Sequence, residues 1–331
     1  MQTLVTGGAG FIGSHLVDVL ISRGQRVMVV DDLSSGSLAN ISQHLGGGNL
    51  DFVEADICSE LPLAGPFDVI FNLASSASPR YFVERPLETL MVGSIGVRNV
   101  IELAVQTNAR LIQASTSEVY GEPEQHPQTE SYWGNVNPIG PRSVYDESKR
   151  YAEAMIAAYV RLGRLDAGIV RIFNTYGPRL AASDGRVVSN FIDQSLRGLP
   201  LSIHGDGRQT RSFCYVDDLV RALLIFARRR ERLGPVNLGN PQELTILELA
   251  RAVTELTGAE DAIVHHPLPQ DDPTQRRPDI SRARELLGWE PEVSLRDGLS
   301  RTIEWFRSEL DASRRQATEL GTQEQVTEAG A

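Results

Sequence analysis

Residues 3–13 read Thr3-Leu4-Val5-Thr6-Gly7-Gly8-Ala9-Gly10-Phe11-Ile12-Gly13, and the fold follows from them. A short apolar run with β-branched residues reads as a buried strand. Glycines break it, and apolar residues at helical spacing follow from Phe11. Gly8, Gly10 and Gly13 satisfy G-x-G-x-x-G; Gly7, Gly10 and Gly13 satisfy the related G-x-x-G-x-x-G. In either register the missing side chains let the backbone approach a pyrophosphate, and free N–H groups at the helix start favour its negative charge. Glycines also make tight turns with no ligand, but here they have the strand–turn–helix setting that the ligand requires. Asp31, with Asp32 beside it, ends the second apolar run roughly 20 residues on. A carboxylate there accepts hydrogen bonds from ribose hydroxyls and repels a 2′-phosphate, so the pattern predicts NAD rather than NADP. The candidate cofactor contacts are Gly7, Gly10, Phe11, Ile12 and Gly13 in the turn, and Asp31 and Asp32 at the second strand. Asp56 and Ile57 after the third strand and Leu73 at the end of the fourth complete them.

Beyond that stretch, apolar runs keep alternating with helical patterns, the signature of a parallel α/β sheet. Strands are predicted over 3–6, 26–30, 50–54, 69–73, 110–114 and 168–172, and helices over 11–23, 86–107 and 144–162. Residues 34–48 form a polar, glycine-rich connection. Residues 122–141 carry four prolines and read as a long functional lid, with Tyr132 and Trp133 as its aromatic pair. After Tyr176 the pattern loosens, with helices predicted near 187–197, 216–229, 246–257 and 280–287. The expected architecture is a Rossmann-type doubly wound parallel sheet with a smaller, interwoven C-terminal substrate lobe. The NAD-binding domain is placed at 1–175, with parts of 211–238, and a discontinuous substrate lobe at 176–312. The 313–331 segment has no apolar periodicity and is expected to be a disordered tail.

The formal net charge of −11 over 331 residues argues against non-specific nucleic-acid binding, which needs a basic face. Two cysteines, Cys58 and Cys214, give neither a disulfide framework nor a Cys-rich metal site. No apolar run reaches the roughly 20 residues that span a bilayer, and the first apolar run breaks into glycines too early for a secretory leader. The cytoplasm is the expected location, with no membrane partner and no metal.

Tyr145 and Lys149 stand four apart within a predicted helix and so share a face. A tyrosine titrates near 10; a neighbouring ammonium and a nicotinamide cation favour its phenolate. Such a pair can take a hydroxyl proton while hydride leaves the same carbon. Thr116, just past the fifth strand, can place a hydroxyl beside Tyr145.

With these residues in place, the chain resembles the extended short-chain dehydrogenase/reductase family, in its sugar-nucleotide branch. The resemblance spans Leu4 to about Leu299. It is carried by Ser115-Thr116-Ser117-Glu118-Val119-Tyr120-Gly121, by Tyr132-Trp133-Gly134-Asn135-Val136-Asn137-Pro138, and by Arg171-Ile172-Phe173-Asn174-Thr175-Tyr176-Gly177-Pro178-Arg179. Further matches are Asp184-Gly185-Arg186-Val187-Val188-Ser189-Asn190-Phe191, Gln209-Thr210-Arg211-Ser212-Phe213 and Arg276-Arg277-Pro278-Asp279-Ile280. Within the branch it looks most like the UDP-glucuronate decarboxylases. The branch's 4,6-dehydratases have an Asp-Glu pair after the threonine, where this chain has Ser117-Glu118; its 4-epimerases usually lack a carboxylate there. The resemblance therefore implies oxidation at C4, loss of the C5 carboxylate as carbon dioxide, protonation at C5 and return of the hydride, giving UDP-xylose. It implicates Glu118 and Arg276 in the decarboxylation. Arg276 would bind the substrate carboxylate and stabilise the enolate, and Glu118 would position water or shuttle a proton. The substrate contacts it implies are Ser117, Asn174, Arg179, Val188, Phe191, Gln209, Arg211 and Arg276. A homodimer through 86–107 and 143–162 follows from it as well.

The chain departs from the family pattern at Asn72-Leu73-Ala74-Ser75-Ser76, at Gly93, where many relatives have asparagine, at Ser148, which replaces a glycine, and at His204. The competing enzyme readings are a 4-epimerase and a 4-keto-pentose synthase that releases its intermediate. A catalytically dead NAD-sensing protein is expected to lack Tyr145 or Lys149, and both are present.

Overall fold

In the computed structural model, which describes residues 1–61, 63, 65–229, 234–260 and 262–328, β-branched and aliphatic residues form the strands their runs predict. These are β1 Gln2–Thr6, β2 Arg26–Asp31, β3 Leu50–Glu54, β4 Val69–Asn72, β5 Arg110–Thr116 and β6 Ala167–Ile172. Shorter strands follow: β7 Thr175–Tyr176, β8 Leu201–His204, β9 Thr210–Ser212, β10 Cys214–Tyr215, β11 Val236–Leu238, β12 Glu243–Thr245, β13 Ile263–His266 and β14 Gln275–Arg276. The helices are α1 Phe11–Ser22, α2 Pro79–Glu84, α3 Pro86–Met91, α4 Val97–Thr107, α5 Ser143–Arg161, α6 Val187–Leu196, α7 Val216–Arg228, α8 Ile246–Thr257, α9 Ser281–Leu287 and α10 Leu295–Glu328.

One sheet of seven strands, ordered β11-β6-β5-β4-β1-β2-β3, carries the fold, and every adjacent pair in it is parallel. Successive residues of β1 point to opposite faces, and both faces are dry. Leu4 enters a core with Val100, Ile101 and Ile156 of α4 and α5. Val5 enters a second core with Leu16, Val17 and Leu20 of α1 and Leu219 and Leu223 of α7. A sheet covered on both sides explains the unbroken apolar runs. Each fully buried leucine or valine of α1 contributes roughly 1.5–3 kcal/mol relative to exposure. The chain leaves β1 for β2 on one side and returns to β4 on the other, so a crevice opens beyond their carboxyl ends.

Four expectations change in detail. The helix predicted over 86–107 is divided: α3 gives way to a π-helical turn at Val92–Gly96 before α4. α5 approaches there so closely that a Cβ on Gly93 would lie 2.5 Å from the Ser148 Cβ. The polar connection at 34–48 contains a 3-10 helix, Leu38–His44. Segment 122–141, expected as a long lid, is anchored along its length. Gln128 is fully buried; its backbone N–H donates to Arg277 O at 2.9 Å, and its side-chain oxygen accepts from Arg277 N at 2.8 Å. Tyr132 stacks on Tyr120, while Trp133 is 88% exposed. Finally, the segment expected as a disordered tail from 313 continues α10 to Glu328, and 329–331 lie outside the described residues. Alanine, glutamate and glutamine favour helix without any apolar stripe, which a search for periodicity passes over. Among the described residues no helix is long and apolar enough to cross a membrane.

Beyond β7 the chain forms small sheets, β12-β9-β14 and β13-β8, while β11 completes the main sheet beside β6.

Candidate active site

The turn between β1 and α1 is made of backbone. Gly7 has φ 72°, a left-handed value that favours glycine. A Cβ on Gly13 would stand 2.1 Å from the Gly7 carbonyl oxygen. α1 opens at Gly10 with no side-chain cap and no acidic residue in its first turn, which leaves its first N–H groups for an anion. Space cleared of Cβ atoms and aimed donors together fit a dinucleotide pyrophosphate. Asp31 braces this turn: its oxygens accept from Ala9 N and Leu33 N, both at 2.9 Å. Burial pushes its carboxyl above the usual range, and those two N–H groups pull the other way. Each oxygen keeps a further lone pair for a ribose hydroxyl.

A cavity of about 470 Å³ runs from this turn along the carboxyl ends of the strands. Gly7, Gly10, Phe11, Ile12, Gly13, Asp31, Asp32, Asp56, Ile57 and Leu73 line one part of it. Thr116, Ser117, Glu118, Tyr145, Lys149, Asn174 and Arg179 line the rest. Arg179, in the left-handed region at φ 66°, pairs with Asp18 at 2.8 Å.

Tyr145 and Lys149 do share a face of α5. The Lys149 ammonium lies 5.7 Å from the centre of the Tyr145 ring and donates to Ala114 O at 3.0 Å. Burial dominates both groups. It pushes the Tyr145 phenol up to about 12, with the Thr116 hydroxyl opposing, and brings Lys149 down to about 8, with Glu153 opposing. Lys149 is not among the groups that act on the phenol here, and the expectation named the nicotinamide cation beside it. The phenolate needs a further positive charge in the cavity.

Glu118 sits at the head of an arginine cluster. Its Oε2 accepts from Arg142 Nη2 at 2.8 Å, and its Oε1 lies 3.2 Å from Arg276 Nη1. Burial opposes its ionisation, but Arg276 and then Arg142 outweigh burial and hold it at about 2. Arg276 is 2% exposed and donates to Ser117 Oγ at 3.0 Å and Gly121 O at 3.1 Å. Arg211 pairs with Asp272 at 2.9 Å. Among the described residues, the cavity wall includes neither Arg276 nor Arg211, Gln209, Val188 or Phe191. Val188 and Phe191 pack into the core with the base of α6; Gln209 donates to His204 O at 2.6 Å. These five residues are thus set back from the wall that the other predicted residues share.

Several wall residues escape the sequence reading. Arg142 lines the cavity beside Glu118, three residues before Tyr145. Arg186 lines it too and pairs with Asp184 at 2.9 Å. Trp305 and Glu309 of α10 also line it. Behind the wall, Asp146 is buried; burial and then the Glu118 charge push its carboxyl up to about 8. The spacing of Arg142 from Tyr145 on one helical face was a signal open to inspection; nothing local marks Trp305 or Asp272. Among the described residues, no group of three His, Cys, Asp or Glu side chains is arranged to hold a metal ion.

Comparison with known proteins adds three findings. Residues 3–239 match the NAD dependent epimerase/dehydratase family. The chain is 48% identical over 316 residues to UDP-glucuronic acid decarboxylase 4 of Arabidopsis thaliana, covering 96% of this chain and 71% of that protein. Among solved structures it superposes on UDP-glucose 4-epimerase of Thermotoga maritima with a TM-score of 0.86 at 34% identity, covering 94% of this chain and 100% of the other. It also superposes on dTDP-glucose 4,6-dehydratase of Streptomyces venezuelae, solved with NAD bound, with a TM-score of 0.84 at 30% identity, covering 93% and 97%.

Proposed function

The chain belongs to the NAD dependent epimerase/dehydratase family, and from that premise we propose that it decarboxylates UDP-glucuronic acid to UDP-xylose. The observation that carries the reading is Glu118, ionised among arginines and on the same wall as Tyr145. A dehydratase must hand a proton to a departing hydroxyl. A carboxyl held at about 2 cannot do that near neutral pH, and Ser117 has no acidic proton to give. A decarboxylase needs no such acid. Once C4 is a ketone, the C5 carboxylate leaves as carbon dioxide with its electron pair held in the enolate, and nearby cations stabilise that charge. The 48% identity to a decarboxylase, against 34% and 30% to the epimerase and dehydratase, points the same way.

The site's own residues divide the work. Tyr145, beside Thr116, takes the C4 hydroxyl proton and later returns it. Lys149 keeps its ammonium 5.7 Å from the centre of the phenol ring. Glu118, being ionised, accepts hydrogen bonds and so holds a water for C5 rather than giving up a proton of its own. Asn174 and Arg179 on the wall, with Arg211 behind it, serve the UDP end. The glycine turn and Asp31 would hold NAD, which would supply a reversible hydride acceptor for C4 and a positive charge that favours the Tyr145 phenolate. The chain acts as a homodimer through α3 to α4 and α5, whose outer surface exposes Leu87, Met91 and Tyr151.

Incubation with UDP-glucuronic acid and NAD, followed by mass spectrometry, tests the reading. UDP-xylose and one equivalent of carbon dioxide are expected. An epimer that keeps its carboxylate would make the chain a 4-epimerase; accumulating NADH with a 4-keto-pentose would make it a synthase that releases its intermediate.

A further inference from the structure

We infer that Arg142 is the residue that reads the substrate's carboxylate, while Arg276 holds Glu118 and the Ser117–Gly121 turn in place. The inference rests on the decarboxylase reading and adds a specificity determinant to it.

Placement comes first. Arg276 commits its Nη1 to Ser117 Oγ and Glu118 and its Nη2 to Gly121 O; its Nε is buried without a partner, and the residue stands behind the wall. Arg142 stands on the wall with Tyr145. Its guanidinium carbon lies 5.4 Å from the centre of the Phe82 ring. Phe82 in turn stacks on Tyr145, at 5.5 Å between centres and 13° between planes. One aromatic ring therefore fixes the guanidinium relative to the phenol. Tyr145 works at C4, and the carboxylate hangs from C5, one carbon along the ring, so the fixed spacing suits a group that must meet both.

Donor supply comes second. Arg142 commits Nη2 to Glu118 at 2.8 Å. Its Nη1 has Asp272 Oδ1 at 3.6 Å, beyond hydrogen-bond distance. A planar fork with one arm firmly held and the other loosely held is ready for a second carboxylate.

Charge comes third. Arg142, Arg211 and Arg276 bring three positive charges; Glu118 and Asp272 return two negative ones. Asp146, with its carboxyl pushed up to about 8, adds none at neutral pH. One positive charge is left over, which a glucuronate carboxylate neutralises and a neutral hydroxymethyl group does not.

The test uses NAD-loaded protein carrying Tyr145→Phe, in which turnover is stopped, and compares UDP-glucuronic acid with UDP-glucose by calorimetry. The two ligands differ only at C6. Adding Arg142→Met is expected to weaken UDP-glucuronic acid at least tenfold and to leave UDP-glucose within twofold. Arg142→Lys, which keeps charge but not the fork, is expected to lose severalfold for the acid alone, and it decides the matter should the methionine variant not fold. Equal losses for both sugars, or an unchanged preference for the acid, would overturn the inference. The decarboxylase reading is checked apart from this, on protein with Tyr145 and Arg142 intact: if that protein releases no carbon dioxide, the broader reading fails. Release of carbon dioxide together with an unaltered preference in Arg142→Met sinks the role of Arg142 alone.

Discussion

Glu118 lies between two guanidinium groups, and its ionised state defines what it can do. Glu118→Gln keeps the shape and removes the charge that Arg142 and Arg276 share. We expect NAD affinity to stay the same and carbon dioxide release to fall by about 100-fold or more, measured by dye-free NAD titration and by trapping labelled carbon dioxide; near-normal turnover would sink the assignment. Lys149 gives a pH test. Burial brings its ammonium down to about 8, so the charged form is present below that pH and is lost as pH rises through it. Activity should therefore have an alkaline limb near 8. Glu153 is the neighbour that raises Lys149, and it also binds Arg171 and Ser115. Glu153→Gln retains an acceptor for both and removes the charge, so the limb should move to lower pH. A limb that stays put would show that Lys149 does not set it. Tyr145, Lys149 and Thr116 could be picked out from a short local pattern whose spacing has a physical reason, and Glu118 from the family resemblance; all four line one cavity. Asp272 was not, because it meets Arg142 and Arg211 only through folding.

Elements were read more easily than their irregularities. Every predicted strand of the main sheet stands within two residues of its place, because burial on both faces leaves a plain apolar run. The π turn at Val92–Gly96 was invisible, since one extra residue per turn changes no residue type. It packs closely against α5, and that contact gives meaning to two departures from the family pattern. A Cβ on Gly93 would stand 2.5 Å from the Ser148 Cβ and 2.6 Å from its hydroxyl oxygen. Ser148 in turn donates to Tyr145 O at 2.8 Å, on the helix that carries both Tyr145 and Lys149. The small residue on one element makes room for the larger one on the other. Gly93→Ala should destabilise by about 1–3 kcal/mol through overpacking, and Ser148→Gly by about 1 kcal/mol for a glycine inside a helix. The double variant should lose clearly less than the sum, since the side-chain clash is gone and only a 3.3 Å approach to the Ser148 backbone carbon is left. Urea unfolding of the four proteins measures the coupling, and strictly additive losses would rule out the pairing.

At the scale of the molecule, contacts between distant parts of the chain complete the structure. β11, inside the 211–238 stretch expected to join the first domain, finishes the first sheet, and α10 sends Trp305 back to the cavity wall. The second does not follow from local pattern, because Trp305 lies far along the chain from the rest of the wall. The remaining apolar surface has the same long-range character. Leu87 is 71% exposed, with Met91 on α3 and Tyr151 on the adjoining α5 also exposed. α3 and α5 pack together, so these side chains lie on one helical layer. A stable dimer needs roughly 1,000 Å² or more of buried surface, and an outer layer of two helices rich in apolar side chains is suited to supply it. Light scattering should give about twice the 36.3 kDa chain mass. Leu87→Glu alters a side chain that the isolated chain leaves in water, so its effect on the chain's own stability should stay within about 0.5 kcal/mol. Placed across a two-fold axis, it introduces a desolvated charge twice, and the mass should drop to that of one chain while the thermal unfolding of the monomer is unchanged. A dimer that survives Leu87→Glu would move the interface elsewhere, and a native chain that scatters as a monomer would remove it.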